Sequence, residues 1–160
     1  MTKHERIIEL IRHRDIILAT LDYILKGIQN ETPAPDHLEV IIEYYEQQKP
    51  QTEKYFQTKR LDRLQQKLIK LITFPQGRGD LNFAAYVKEK TGHHIDIFAS
   101  IRKRADTIIA QNQVKDGKDL HDVAIFFTTY GHHPEYQAKL NTLKTLVSDF
   151  GERTRKKTGS

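Results

Sequence analysis

Leu61-Asp-Arg-Leu64-Gln-Gln-Lys-Leu68-Ile-Lys-Leu71 places its leucines at intervals of three and four residues. That spacing gathers them on one stripe of an α-helix and would scatter them over both faces of a strand. The same rhythm runs through Phe98, Ile101, Ala105 and Ile108, and through Leu140, Leu143, Val147 and Phe150. Alternation in twos is nearly absent. The sequence therefore predicts an all-α protein, a compact multi-helix bundle of about seven helices built from antiparallel helical hairpins.

Caps and breakers divide the chain. Thr2 with Glu5 has capping-box spacing and opens a first helix that runs to Gly27 or Ile28. Its seam reads Ile7, Ile11, Arg14, Leu18, Leu21, Leu25, Ile28, with Arg14 as a charged interruption that calls for a partner. Pro33 and Pro35 mark a loop, Asp36 is expected to cap a second helix to Gln48, and Pro50 to close it before a third helix from Thr52 to Phe74. Pro75-Gln-Gly-Arg-Gly-Asp80 is the strongest break. Beyond it the expected helices cover residues 81–90, 96–113, 118–131 and 134–152, with Gly92 and Pro134 as stop and start signals. This organisation is a single helical domain over 1–152, divisible into 1–74 and 80–152, with a basic tail at 153–160 expected to be disordered.

Composition narrows the function classes. The absence of cysteine removes disulfides, thiolate nucleophiles and cysteine-bound metal, and fits a reducing compartment. No stretch approaches ~18 apolar residues, so no membrane span is expected. Charge interrupts the opening Met1-Thr-Lys-His-Glu-Arg, which does not read as a signal peptide. The expected location is cytoplasmic. A net charge of +5 permits contact with nucleic acid or anionic lipid without requiring it.

The charge is patterned. Asp36, Glu39, Glu43 and Glu46 share one helical face, and Arg60, Arg63, Lys67 and Lys70 share another. Like charges at this spacing repel by ~0.2–0.5 kcal/mol per pair, so each stripe calls for an explanation beyond helix stability. The favoured one is internal, the two stripes facing each other as a solvated ion-pair ladder. The external one is a nucleic-acid-associated module in which the basic stripe meets phosphates, helped by Arg78 beside a helix start and by Arg153, Arg155, Lys156 and Lys157 in the tail. Aromatic residues do not interleave with the basic ones along the sequence, as they would in a single-strand stacking platform. Arg102-Lys-Arg104 lies on consecutive helical positions, about 100° apart, and makes no single patch.

Four histidines follow two helix ends, His93-His94 and His132-His133, and imidazole pairs of this kind suit a zinc, iron or nickel site, metal-binding enzyme or sensor, if the two turns converge. They lack the i, i+3 or i, i+4 spacing that points two ligands the same way from one helix. Arg12-His13-Arg14-Asp15 inside a long helix, followed by an apolar helix ending Ile42-Glu-Tyr-Tyr-Glu46, resembles the opening of hemerythrin-like bundles. That resemblance implies a di-iron centre held by histidines on several helices. Only His13 matches, so no ligand is carried over, and no cofactor is expected.

No catalytic constellation is assembled: Ser100, Ser148 and Ser160 stand in no nucleophile setting, and nothing buries Glu39 or Glu43. The expected function is non-catalytic binding, with a protein partner or self-association foremost because Val123-Ala-Ile-Phe-Phe127 is too broad for one stripe. A small-molecule pocket, where the first seam opens, would be lined by Arg14, Tyr23, Tyr44 or Tyr45.

Overall fold

A computed structural model describes residues 1–159, and among them the chain is all-α. α1 spans Lys3–Gln29, α2 Leu38–Gln57, α3 Leu61–Gly77, α4 Phe83–Thr91, α5 Ala99–Gln111, α6 Gly117–Tyr130 and α7 Gln137–Thr158, the last entered through a 3-10 turn at Pro134–Tyr136. The chain divides into two units, residues 1–75 with 81–95 and residues 76–80 with the chain from Asp96 onward. α4 therefore belongs with α1, not with the second half of the sequence.

In the first unit α1 packs against α2 and α4. The capping box forms, with Glu5 N–H donating to Thr2 Oγ1 at 3.1 Å and Thr2 N–H to Glu5 Oε2 at 2.6 Å. The buried seam is turned from the expected one: it runs through Leu10, His13, Ile17, Leu21, Ile24 and Ile28, while Ile7, Ile8 and Ile11 stay exposed. His13 takes the polar place in the seam, its Nδ1 2.8 Å from the Glu9 carbonyl oxygen. Arg14 sits on the flank, 4.1 Å over the Phe56 ring, with Nε and NH2 donating to Asp15. The α3 stripe matches its sequence pattern in full: Leu61, Leu64, Leu68 and Leu71 are all buried. Each such side chain contributes roughly 1.5–3 kcal/mol of hydrophobic stabilisation.

Pro50 does not end α2. The turn that follows is anchored by Thr52, fully buried and donating its hydroxyl to the Gln48 carbonyl at 2.7 Å, and Lys49 reaches Asp22 of α1 at 2.9 Å. Contacts on both sides of the proline hold the helix through it. α2 stops instead at Lys59, whose φ is +56°. Lys59 N–H donates to Phe56 O at 3.1 Å and Arg60 N–H to Tyr55 O at 2.8 Å, the paired bonds of a Schellman closure made here without glycine.

In the second unit α5 packs on α6 and α7. Val123, Ile125 and Phe126 are buried, so most of the broad apolar run belongs to the core. Phe126, Tyr130 and Tyr136 form an aromatic cluster with ring centroids 4.3–5.6 Å apart. The tail expected to be disordered is helical as far as Thr158, and only Ser160 lies outside the described residues. Arg153 NH2 donates to Val114 O at 2.6 Å, and Arg155, Lys156 and Lys157 complement the negative end of the α7 dipole.

Gly79 has φ +63°, and a Cβ there would lie 2.9 Å from Thr129 Cα and 3.0 Å from the Thr128 carbonyl. Both the backbone conformation and the close approach require glycine. Gly151, inside α7, meets nothing within 4 Å. Gly79→Ala is expected to cost about 2 kcal/mol or more, and Gly151→Ala to gain about 0.5–1 kcal/mol, as read from urea unfolding midpoints.

Candidate functional site

α2 and α3 enclose an open cleft of about 640 Å³ in the first unit. Its α2 wall carries Tyr44, Tyr45, Gln48, Gln51 and Tyr55, and its α3 wall carries Arg63, Lys67 and Lys70. Helical spacing explains both walls: Gln48, Gln51 and Tyr55 recur at three and four on α2, as do Arg63, Lys67 and Lys70 on α3. The Schellman closure at Lys59 turns the chain so that these faces meet. No carboxylate and no imidazole lines the cleft.

Lys67 is the centre of this arrangement. Only 9% of it is exposed, and its ammonium donates to Gln51 Oε1 at 2.5 Å and to Gln48 Oε1 at 3.2 Å. The Nζ also lies 5.9 Å from the Tyr55 ring centroid. Withdrawal from water pushes the Lys67 amine below its ordinary value, and the nearby Lys70 charge acts in the same direction. Burial likewise raises the Tyr45 phenol, aided by Tyr44 beside it with ring centroids 5.1 Å apart. The result is a cationic floor with amide and aromatic walls. It can accept an anion and hold a flat or apolar group against it.

The expected ion-pair ladder gives way to other pairings. Lys67 meets amides, Arg60 in the turn before α3 closes on Asp62 in the first turn of that helix at 2.8 Å, and on α2 Glu46 accepts from Lys49 while Glu43 accepts from Gln47. The Arg60 guanidinium holds the Asp62 carboxyl at about 2. The reason is reach: amides from Gln48 and Gln51 stand opposite Lys67 where the stripe pattern supposed carboxylates. Of the candidate anion-binding residues, the fold brings together Arg63, Lys67 and Lys70. Arg60 stands outside the lining, and Arg78 belongs to the other unit. Of the four residues suggested for a pocket, Tyr44 and Tyr45 line it. Tyr23 packs on Phe83 and Tyr86 instead.

His93 and His94 lie in the first unit, His132 and His133 in the second. Among the described residues no group of three or more His, Asp or Glu side chains is placed to hold an ion. Each pair has local work. His93 Nε2 lies 3.2 Å from Asp15 Oδ2, and Arg12 donates to His94 O at 3.0 Å, so the loop after α4 is strapped to α1. His133 packs edge-on against Tyr130 with ring centroids 5.7 Å apart, and His94 and His132 face solvent. His13, the one match to the hemerythrin-like pattern, is spent on the Glu9 carbonyl.

The sequence points to Tyr44 and Tyr45 but not to Tyr55 or the amide wall, nor to their place opposite the basic stripe. Tyr44, Tyr45 and Tyr55 precede the basic stripe by a helix, so no interleaving is visible along the chain, and glutamines carry no signal of their own. Because folded Lys67 binds its proton less tightly than an ordinary lysine, the unfolded chain holds more protons between that lowered value and 10.5, and stability rises with pH across the interval. Lys67→Met should therefore be at least as stable as the parent at pH 7, with its advantage shrinking towards pH 10, as measured by urea unfolding at both values. Comparison with protein families, with curated proteins and with solved structures finds no match for the chain.

Proposed function

We propose that this chain is a non-catalytic binding protein of the cytoplasm that takes an anionic ligand in the α2–α3 cleft. The single observation that carries the reading is the Lys67 ammonium, buried among neutral amides with Arg63 and Lys70 beside it and no carboxylate in the lining. The two amides accept from the ammonium but carry no charge, and an incoming oxyanion supplies the counter-ion that they do not. Binding parts are present, and the lining holds neither a carboxylate nor an imidazole, while the Lys67 ammonium is engaged as a donor to Gln48 and Gln51. The cysteine-free composition and the lack, among the described residues, of a helix long and apolar enough to cross a membrane support the assignment to a reducing interior.

Single-stranded nucleic acid is a second reading, favoured by one observation: Tyr44 is 61% exposed beside the cations, with its ring available to a base.

Calorimetric titration with inorganic pyrophosphate tests the proposal. Lys67→Gln, or Arg63→Gln with Lys70→Gln, should weaken binding by about tenfold, the worth of one charge-assisted hydrogen bond. Arg78→Gln should leave it unchanged, and affinity should fall as salt is raised. Equal affinity in the parent and both cleft variants would remove the cleft as the binding site. Binding of a ten-residue oligothymidine with the same dependence on Lys67, and lost in Tyr44→Ser, would select the second reading.

A further inference from the structure

Beside the cationic cleft lies a second hollow of about 540 Å³, also in the first unit. Tyr44, Tyr45 and Phe74 line both. The rest of the second hollow is different in character. Ile28, Val40, Ile41 and Pro35 make it apolar, and its single ionisable group outside the tyrosines is Glu31. We infer that the ligand is a single-chain amphipathic oxyanion, its charged head on Lys67, Arg63 and Lys70 and its aliphatic tail along Ile28, Val40 and Ile41. The inference rests on the anion-binding reading of the cleft and names the class of ligand.

Two observations lead there. The first is exposure: Val40 is 64% exposed and Tyr44 61%, side chains a helix ordinarily turns inward, yet here they rim a concavity that no element of the unit fills. Covering that surface is favourable for any apolar group that fits, and both hollows fall in the ~300–1,000 Å³ range of small-molecule sites.

The second is the shared wall. A molecule seated with its charge at Lys67 passes Tyr44, Tyr45 and Phe74 on its way into the apolar hollow, so one ligand can satisfy both.

The head is identified only as an oxyanion, since carboxylate, sulfate and phosphate all accept from an ammonium and a guanidinium. The tail is what distinguishes this ligand from free phosphate. Each methylene withdrawn from water strengthens binding roughly fourfold when it is fully covered.

The test is calorimetric titration of the full chain with butanoate, with dodecanoate below its micelle-forming concentration, and with pyrophosphate. Dodecanoate is expected to bind at least tenfold more tightly than butanoate. Val40→Gln, at an exposed helical position that does not support the core, should reduce that preference several-fold while leaving pyrophosphate binding within twofold. Lys67→Gln should weaken all three. Equal binding of the two acids, with pyrophosphate still bound at Lys67, would overturn this inference and leave the anion cleft standing. No binding of any of the three would overturn both. Displacement of dodecanoate by a ten-residue oligothymidine at lower concentration, or co-sedimentation with phosphatidylserine vesicles in the absence of binding to monomeric dodecanoate, would also overturn it.

Discussion

The Lys67 ammonium is held out of water by two glutamine amides, and the first unit is arranged so that this is tolerable. A desolvated ammonium needs its donors satisfied. Gln48 and Gln51 do so only because α2 runs unbroken through Pro50 and then reverses at Lys59, which brings its third and fourth turns opposite the middle of α3. The buried Thr52 and the Lys49–Asp22 pair fix that stretch of α2 against α1. Helix continuity, the Schellman closure and the cleft are thus one structural decision. Had Pro50 ended the helix, Gln51 and Tyr55 would sit at the start of a different one, and the amide wall would not exist.

Much of this architecture was legible in the residues. The leucine rhythm of α3, the Thr2–Glu5 capping box and the glycine closing α4 each rest on local chemistry, and each is present. The failures share a cause. Pro50 signals a stop when judged locally, but tertiary anchoring on either side outweighs it. Lys59 adopts the left-handed conformation in a role usually filled by glycine or asparagine, so nothing in its identity announces a helix end. The expected α1 seam holds at Leu21, Leu25 and Ile28 and is displaced by one position only in its first half, because Ile7 and Ile11 are apolar enough to suggest burial while packing leaves them exposed. His13 and Arg14 trade places for the same reason.

The site was half legible. A run of like charges at helical spacing picks out Arg63, Lys67 and Lys70, which line one cleft, since mutual repulsion without compensation calls for a cause. What faces them could not be read from α3. The partners come from the preceding helix, and two of them are glutamines, whose side chains pair with cations and anions alike. The histidine pairs are a different case. Their residue type advertises metal chemistry, and the structure gives each pair local contacts, His93 with Asp15 and His133 with Tyr130 and Gln137.

Where the positive charge is spent says more than the total does. In the second unit Arg102 closes on Asp96, Arg104 on Asp122, Lys139 on Asp106, and Arg153 on a backbone carbonyl. Those cations are structural: each has a partner, and Asp122 is buried beneath its own. A formal excess of +5 spread evenly over such pairs would say little about ligands. In the first unit the lining of the α2–α3 cleft gathers Arg63, Lys67 and Lys70 with amides, phenols and no carboxylate. Low-dielectric walls concentrate the field of those charges into the concavity and do not dissipate it in solvent. At this cleft the basic character of the chain has a local form: three cations share one concavity with amides and phenols, without the carboxylate partners that Arg102, Arg104 and Lys139 have elsewhere.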